Sequence, residues 1–391
     1  MPARAANYLD LNASAPLRPQ VVEALNALLR LPTHASPLYN SSSLHFFGRN
    51  SKHLLTTARD QVATSIGAAS ENALFVSSGT ESNQFAIRSH LSAALKQTSA
   101  PHWITTPIEH ESVLSLIPWF KEQGGEVSFI AVDSNGAPQT SELKNLIRPK
   151  TVLISMIWVN NETGVISDIA QAASVSNQYE VPLHLDGAQA WGKIPVDVES
   201  LGATSVSFSA HKIGALGGCG VLWRKQGTTL WPLLLGAQER GLRGGTENLI
   251  GAFSAGIGAQ LINPEKFDQT VRPLRDRLEA LLLERIPGVM INGRGAQRVG
   301  NTLSLSFNEF GSDTLVMALD LEGYAVSSGA ACSSGAAKPS HVLMAMGHSA
   351  SLASSSLRVS FGQETSWETL EGFVSALERC TSRVRQTRKK E

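Results

Sequence analysis

The 391-residue chain has only three cysteines, too few and too scattered for a disulfide framework, which points to a reducing compartment. Nor has it a surplus of either charge: Lys plus Arg is 33, Asp plus Glu is 33, and the formal net charge is zero. That balance excludes the strongly basic or acidic surface that nucleic acid or an anionic membrane would attract. Long apolar runs are missing too. Stretches such as IWV and WPLLL fall far short of the roughly 20 residues a bilayer-spanning helix needs. The opening MPARAANYLDLN lacks the apolar core of a secretion signal and reaches an acid at Asp10. With 42% hydrophobic residues, these absences lead to the expectation of a cytoplasmic globular enzyme of two domains or three.

What is present is glycine, 33 residues of it, and short serine clusters, which suggest many tight connections rather than long helices. Strand-like apolar runs stand at 74–77, 103–106, 127–132, 152–158, 181–186, 205–209 and 220–223. Segments of helical spacing lie between several of them, at 81–95, 111–123, 140–147 and 167–179. Such alternation predicts an α/β fold with a mostly parallel sheet covered on both faces. After residue 249 the pattern changes to a long helix at 263–285, a strand at 303–307, a helix at 313–321 and another at 366–385. That is a smaller α+β domain, and a shared site would lie in the cleft at the carboxyl ends of the strands.

Three motifs fail on inspection. GAQAWGK at 187–193 begins like a phosphate-binding P-loop, but Ile194 replaces the Mg²⁺-binding hydroxyl and Pro195 stands where a helix should begin. The Gly-x-Gly pairs at 218/220, 256/258 and 293/295 lack the third glycine of a dinucleotide fingerprint. Cys219, Cys332 and Cys380 are too far apart for a zinc site.

The chemistry-bearing segments follow strands. VSFSAHK at 206–212 ends in His211 and Lys212; a lysine there either forms a Schiff base with a carbonyl or is a solvated turn residue. LHLD at 183–186 ends in Asp186, which is either the partner of a buried cation such as a protonated pyridine or a turn residue. SSGTE at 77–81 aligns the N–H groups of Gly79 and Thr80 with a helix N-terminus, suited either to a phosphate or to an ordinary capping box. His110, after the 103–106 strand, either stacks on a flat cofactor or simply ends that strand. Cys332 sits among small residues from Ser327 onward, a run that cannot pack rigidly, so its thiol could collect a group and carry it. Cys219 and Cys380 read instead as buried small hydrophobes.

Together SGTESN (78–83), EHES (109–112), VNNETG (159–164), HLDGAQ (184–189), SFSAHK (207–212), ERGLRGGT (239–246) and SSGAACSSG (327–335) resemble the cysteine desulfurases, a class V aminotransferase-like family dependent on pyridoxal 5′-phosphate. The resemblance runs from Tyr8 to Gly362. It implies the type I transferase fold, with a large domain at 17–259 and a small domain of 1–16 and 260–391 carrying a catalytic-cysteine loop at about 327–339. It further implies Lys212 as the Schiff-base lysine, Asp186 as the pyridinium partner, His110 stacked on the ring and Gln189 as donor to the ring 3-oxygen. Asn161 would face cofactor and substrate. Gly79, Thr80, Ser209 and His211 would bind the phosphate, joined by Thr246 from a second subunit of a homodimer. Arg358 would clamp the substrate carboxylate and Cys332 would be the nucleophile.

On that basis L-cysteine becomes L-alanine, a persulfide forms on Cys332, and the sulfur passes to an iron–sulfur scaffold or another acceptor protein. Selenocysteine lyases and cysteine sulfinate desulfinases share the fold, and a catalytically idle sulfur-relay partner is the alternative from another class. The intact set of Lys212, Asp186, His110 and Cys332 opposes idleness. Two departures from the family pattern stand out: no proline follows Asn40, and 213–218 reads IGALGG where the family tends to IYGPKG.

Overall fold

In the computed structural model, which describes residues 7–308, 310–329 and 338–388, the seven expected strands of the first part all form and share one sheet. In chain order the strands are β1 (Asn7–Tyr8), β2 (Ala73–Val76), β3 (His102–Thr105), β4 (Glu126–Phe129), β5 (Thr151–Ile157), β6 (Leu183–Asp186), β7 (Ser205–Ser209) and β8 (Gly220–Arg224). They continue with β9 (Met290–Asn292), β10 (Thr302–Ser306), β11 (Tyr324–Ala325), β12 (Ser327–Ser328) and β13 (Ser356–Ser360). The large sheet has the order β2-β8-β7-β6-β5-β3-β4, and only β8 runs against its neighbours. The expected mostly parallel α/β arrangement is therefore present.

A parallel sheet is buried on both faces, which is why β5 reads as an almost unbroken apolar run, TVLISMI. β7 reads differently, SVSFS, an alternation that suggests one wet face, yet all five residues are buried. Its serines are satisfied from within: Ser82 Oγ donates to Ser207 Oγ at 2.7 Å, and Ser205 Oγ lies 2.8 Å from His184 Nδ1. The helix Gly79–Gln97 supplies Ser82 and packs across β5, β7 and β8.

The helices expected at 263–285 and 366–385 form, as Pro264–Arg285 and Trp367–Arg388 with 22 residues each, whereas the 20-residue helix Phe46–Ser65 overturns the expectation of tight connections rather than long helices. Glycine and serine sit inside helices where two backbones must come close. Leu249–Gln260, LIGAFSAGIGAQ, is apolar or small all round because it lies buried against Phe46–Ser65, so it shows no amphipathic period. The 111–123 segment forms two short helices, Glu111–Leu114 and Leu116–Glu122, instead of one.

A second sheet, β12-β13-β10-β9, is antiparallel and backs onto the two 22-residue helices. Leu303, Leu305, Leu357, Val359, Phe361, Leu278 and Phe373 form a core separate from that of the large sheet. Leu9 belongs to this second core, and β1 pairs in parallel with β11. The chain from Leu9 to Ala13 thus runs from the second core to the edge of the first, where Asn12 and Ala13 meet Lys212. Among the described residues no helix is long and apolar enough to cross a membrane.

Gly220 marks where the elements are tightest. It pairs with Val76 of β2 and Ser209 of β7, and a Cβ there would stand 2.4 Å from the carbonyl carbon and oxygen of Ser78. Backbone cannot yield as a flexible side chain does. Gly220→Ala is expected to lower stability by about 1–3 kcal/mol, read as a reduced denaturant midpoint with an unchanged slope; an unaltered midpoint would show that Ser78 can shift freely.

Candidate active site

The carboxyl ends of β5, β6 and β7 open into a cavity of about 450 Å³. Its lining includes Gly79, Thr80, His110, Asn161, Asp186, Gln189, Ser209, His211, Lys212 and Arg358, ten of the residues singled out in the sequence. Distant segments converge here for the topological reason that open α/β sheets gather ligands at strand ends. Lys212 also lines a second cavity of about 540 Å³, bordered by Tyr8, Arg18, Trp191 and Lys193.

At one end stands the N-terminus of Gly79–Gln97. The capping and anion-site readings of 77–81 prove compatible. Ser78 caps the helix by accepting from Glu81 N–H at 3.1 Å, while Gly79 and Thr80 still line the cavity. Glu81 reaches back to Ser77 N–H at 2.7 Å and pairs with Arg243 at 2.9 Å. Across from the helix terminus are Ser209 and His211, whose Nδ1 lies 3.2 Å from Ser14 Oγ. Burial, then the charge of Lys212, pushes the His211 imidazole down to about 4, so it is neutral at neutral pH.

At the other end Asp186 is buried and partnered on both oxygens. Oδ2 accepts from Asn83 Nδ2 at 2.8 Å and Oδ1 from Ala188 N–H at 3.0 Å. Asn83 is itself fixed: its other hydrogen goes to Ser112 Oγ at 2.9 Å, and its oxygen meets His184 Nε2 at 3.0 Å. Ser112 N–H in turn donates to His110 Nδ1 at 3.1 Å, which leaves the neutral imidazole its proton on Nε2. Burial lowers the pKa of His110, while the charge of Asp186 opposes it. Asn83 stood inside a recognised motif without an assigned role; its bridging function appears only once β6 and the helix are packed together.

Lys212 is held by the N-terminal segment, its Nζ donating to Asn12 O at 2.6 Å and Ala13 O at 2.9 Å. Gln189 Nε2 also donates to Asn12 O, at 2.9 Å. Arg358, on β13, forms an ion pair with Asp10 at 2.7 Å and donates to Asn161 O at 3.2 Å. Its Nε is buried and has no hydrogen-bond partner among the described residues.

Two assigned residues lie elsewhere. Thr246 is exposed and does not line the cavity of its own chain. Cys332 and most of its loop, 330–337, lie outside the described residues. The other two cysteines are buried, and burial raises both thiols, Cys219 to about 12. Among the described residues no cluster of His, Cys, Asp or Glu is suited to a metal ion.

The aminotransferase class-V family description matches residues 7–373. A protein from Dictyoglomus turgidum named cysteine desulfurase IscS is 36% identical over 381 residues, 97% of this chain and 95% of that one. A Nostoc protein named cysteine desulfurase is likewise 36% identical over 381 residues, covering 97% and 93% of the two chains. The solved NifS-like protein from Rickettsia africae superposes with a TM-score of 0.85 at 29% identity, across 96% of this chain and 99% of its own. A structure of SspA in complex with cysteine gives a TM-score of 0.78 at 25% identity, over 92% and 100%.

Glu109, beside His110, supplies a test of the site's electrostatics. Burial raises its carboxyl from 4.5 to about 8, against the opposing bonds from Thr106 Oγ1 at 2.5 Å and Ile157 N–H at 2.7 Å. Between those values the folded chain keeps a proton that the unfolded chain releases, so this group's contribution to stability falls as pH rises. The gap in melting temperature between Glu109→Gln and wild type is expected to widen in the variant's favour from about pH 5 to about pH 8. A gap that stays constant would mean that Glu109 ionises normally.

Proposed function

This chain belongs to the aminotransferase class-V family, and on that premise we propose that it is a cysteine desulfurase using pyridoxal 5′-phosphate to convert L-cysteine to L-alanine. Its fold is the type I fold of the pyridoxal-phosphate-dependent transferases. The observation that carries the reading is the convergence of Lys212, Asp186, His110 and Arg358 on one cavity.

The donor set fits the cofactor. The helix terminus at Gly79 and Thr80, with Ser209 and His211, would hold the phosphate; Asp186 would take the pyridinium nitrogen, His110 the ring face and Gln189 the phenolic oxygen. A Cβ at residue 79 would stand 3.2 Å from Ser209 Cβ, so glycine keeps the gap between the two anion-binding elements clear. When bound, the cofactor supplies an electron sink for negative charge at the substrate Cα.

The chain's own residues do the rest. Arg358 binds the substrate carboxylate, its guanidinium steadied at the cavity wall by Asp10 and the Asn161 carbonyl. Lys212 removes the Cα proton, its amine aimed by the Asn12 and Ala13 carbonyls. Asn161, on the loop after β5, lines the cavity and would face substrate and cofactor there. The Cys332 thiolate attacks the substrate sulfur, forming an S–S bond as the substrate Cβ–S bond breaks. The electron pair of the broken bond stays with the substrate, whose Cβ takes up a proton, so alanine leaves and the sulfur remains as a persulfide.

The same reading makes the protein a cytoplasmic homodimer that delivers sulfur to an iron–sulfur scaffold. Thr246 then reaches the partner's phosphate site. Two ion pairs support this by tying the 239–246 segment to the helices Phe46–Ser65 and Gly79–Gln97, Arg59 with Glu239 at 2.6 Å and Arg243 with Glu81. Exposed Leu44, Phe46, Trp231 and Leu235 offer apolar surface for the contact. The division into a large domain at 17–259 and a small domain of 1–16 and 260–391 belongs to this proposal as well, supported by the two separate cores.

Purified wild type is expected to be yellow, and Lys212→Ala to lose turnover by about 10²–10⁴-fold while staying folded. A wild-type chain that cannot be loaded with pyridoxal phosphate would refute the reading. Cys332→Ala should still bind cofactor and cysteine but yield neither alanine nor a persulfide on the peptide holding residue 332. Full desulfuration by that variant would move the assignment to a lyase. Sedimentation should give a dimer, and a fully active monomer would remove Thr246 from the site.

A further inference from the structure

Lys193, the last residue of the failed P-loop motif, is buried in a place that offers no acid. It is 3% exposed, and its Nζ donates to Asn12 Oδ1 at 2.6 Å and to Gln189 Oε1, with no ion pair to it among the described residues. The charged groups that act on it, Lys212 and Arg358, are both cations; with burial as the larger cause, they hold its pKa well below the ordinary lysine value. An apolar side chain of similar length would fill the space without that desolvation cost. What the amine adds is two directed donor bonds.

Those bonds settle the orientation of two amides. Both N–H donors that Lys193 uses here meet amide oxygens, so Gln189 turns Oε1 toward Lys193 and Nε2 toward the Asn12 carbonyl, an acceptor that demands the same orientation. Nε2 gives one hydrogen to Asn12 O at 2.9 Å and has a second for the cavity that Gln189 lines. Asn12 is fixed in the same way: Oδ1 faces Lys193, and Nδ2 donates to Thr302 Oγ1 at 3.0 Å and to Asn161 O at 3.1 Å. The carbonyl of Asn12 is then set to receive both Gln189 and Lys212.

We propose that Lys193 is a positioning residue for the reaction, locking the Gln189 amide so that it presents only N–H donors to an anionic oxygen bound in the cavity. The inference rests on the reading of that oxygen as the phenolic oxygen of pyridoxal phosphate. Hydrogen bonding from Gln189 favours the ionised oxygen, which lowers the pH at which the visible absorption band of the loaded protein changes.

The test is a double-mutant cycle on the pH midpoint of that band, with cofactor affinity of the unloaded protein followed by quenching of its tryptophan fluorescence. Lys193→Met and Gln189→Ala are each expected to raise the midpoint by about one pH unit and to weaken cofactor binding by about fivefold. The double variant should be no further shifted than Gln189→Ala alone, because Lys193 acts through that amide. Additive shifts would mean that Lys193 acts through its own charge, and an unshifted Lys193→Met would mean that it acts on packing alone; either overturns the proposal. Should Lys193→Met fail to fold, Lys193→Leu, which likewise keeps no donor, carries the same cycle with the same expected non-additivity. A wild type that never acquires the band overturns the cofactor reading itself, whereas a normal wild-type band with an additive cycle overturns only the role of Lys193.

Discussion

Two donors that follow neighbouring strands of the large sheet, β6 and β7, meet on one oxygen, the backbone carbonyl of Asn12, which accepts from Lys212 at 2.6 Å and Gln189 at 2.9 Å. Asn12 is not part of that sheet. It arrives on the N-terminal segment after Leu9 has packed into the second core, and its own N–H donates to Ser360 Oγ of β13 at 2.9 Å. The position of Lys212 is therefore referred to the second core through Asn12 and its neighbour Ala13. Asp10, two residues earlier, does the same for Arg358 through their ion pair, so Arg358 and Lys212 are held by one short strip of chain.

The polar groups of the site work because almost every one of them is partnered away from water. Ser205, His184, Asn83, Asp186, Ser112 and His110 form an unbroken chain of hydrogen bonds through the interior. Burial makes such a chain stiff, since leaving any one member unpaired costs about 1–3 kcal/mol. It also keeps the histidines neutral: burial, with His90 adding to it, pushes His184 down to about 3. A neutral His184 holds Asn83 in one orientation, Asn83 holds Asp186, and the acid lining the cavity is thereby oriented through β7, β6 and the helix Gly79–Gln97. The serines of β7 belong to the same economy of polar satisfaction, which is why a strand that alternates in sequence is buried throughout.

Strands such as β5 were legible in the sequence because a parallel sheet buries both faces and leaves continuous apolar runs. The helices Phe46–Ser65 and Leu249–Gln260 were not, because their facing surfaces are built from Gly, Ala, Ser and even Arg59 rather than from a stripe of large apolar residues. The candidate site was legible to the extent that its members close a strand or open a helix: Asp186, Ser209, His211 and Lys212 follow strands, and Gly79 and Thr80 start a helix. Asn83 and Lys193 were each in view, one inside a motif and one in a failed P-loop, and neither carried a signal of its task.

The sequence by itself determined which chemical groups stand at element ends, since β periodicity, helix capping and the run of residues around each motif act over a few positions. It also determined the pairing of Ser78 with Glu81, which is local to one turn of helix. Only the tertiary structure decided who partners whom across the cavity. Asn12 and Lys193 are 181 residues apart, Asn83 and Asp186 are 103 apart, and Asp10 and Arg358 are 348 apart. Contacts at such separations leave no periodicity in a single chain, because they are fixed by how sheets, helices and the returning N-terminal segment pack rather than by any local preference of the backbone.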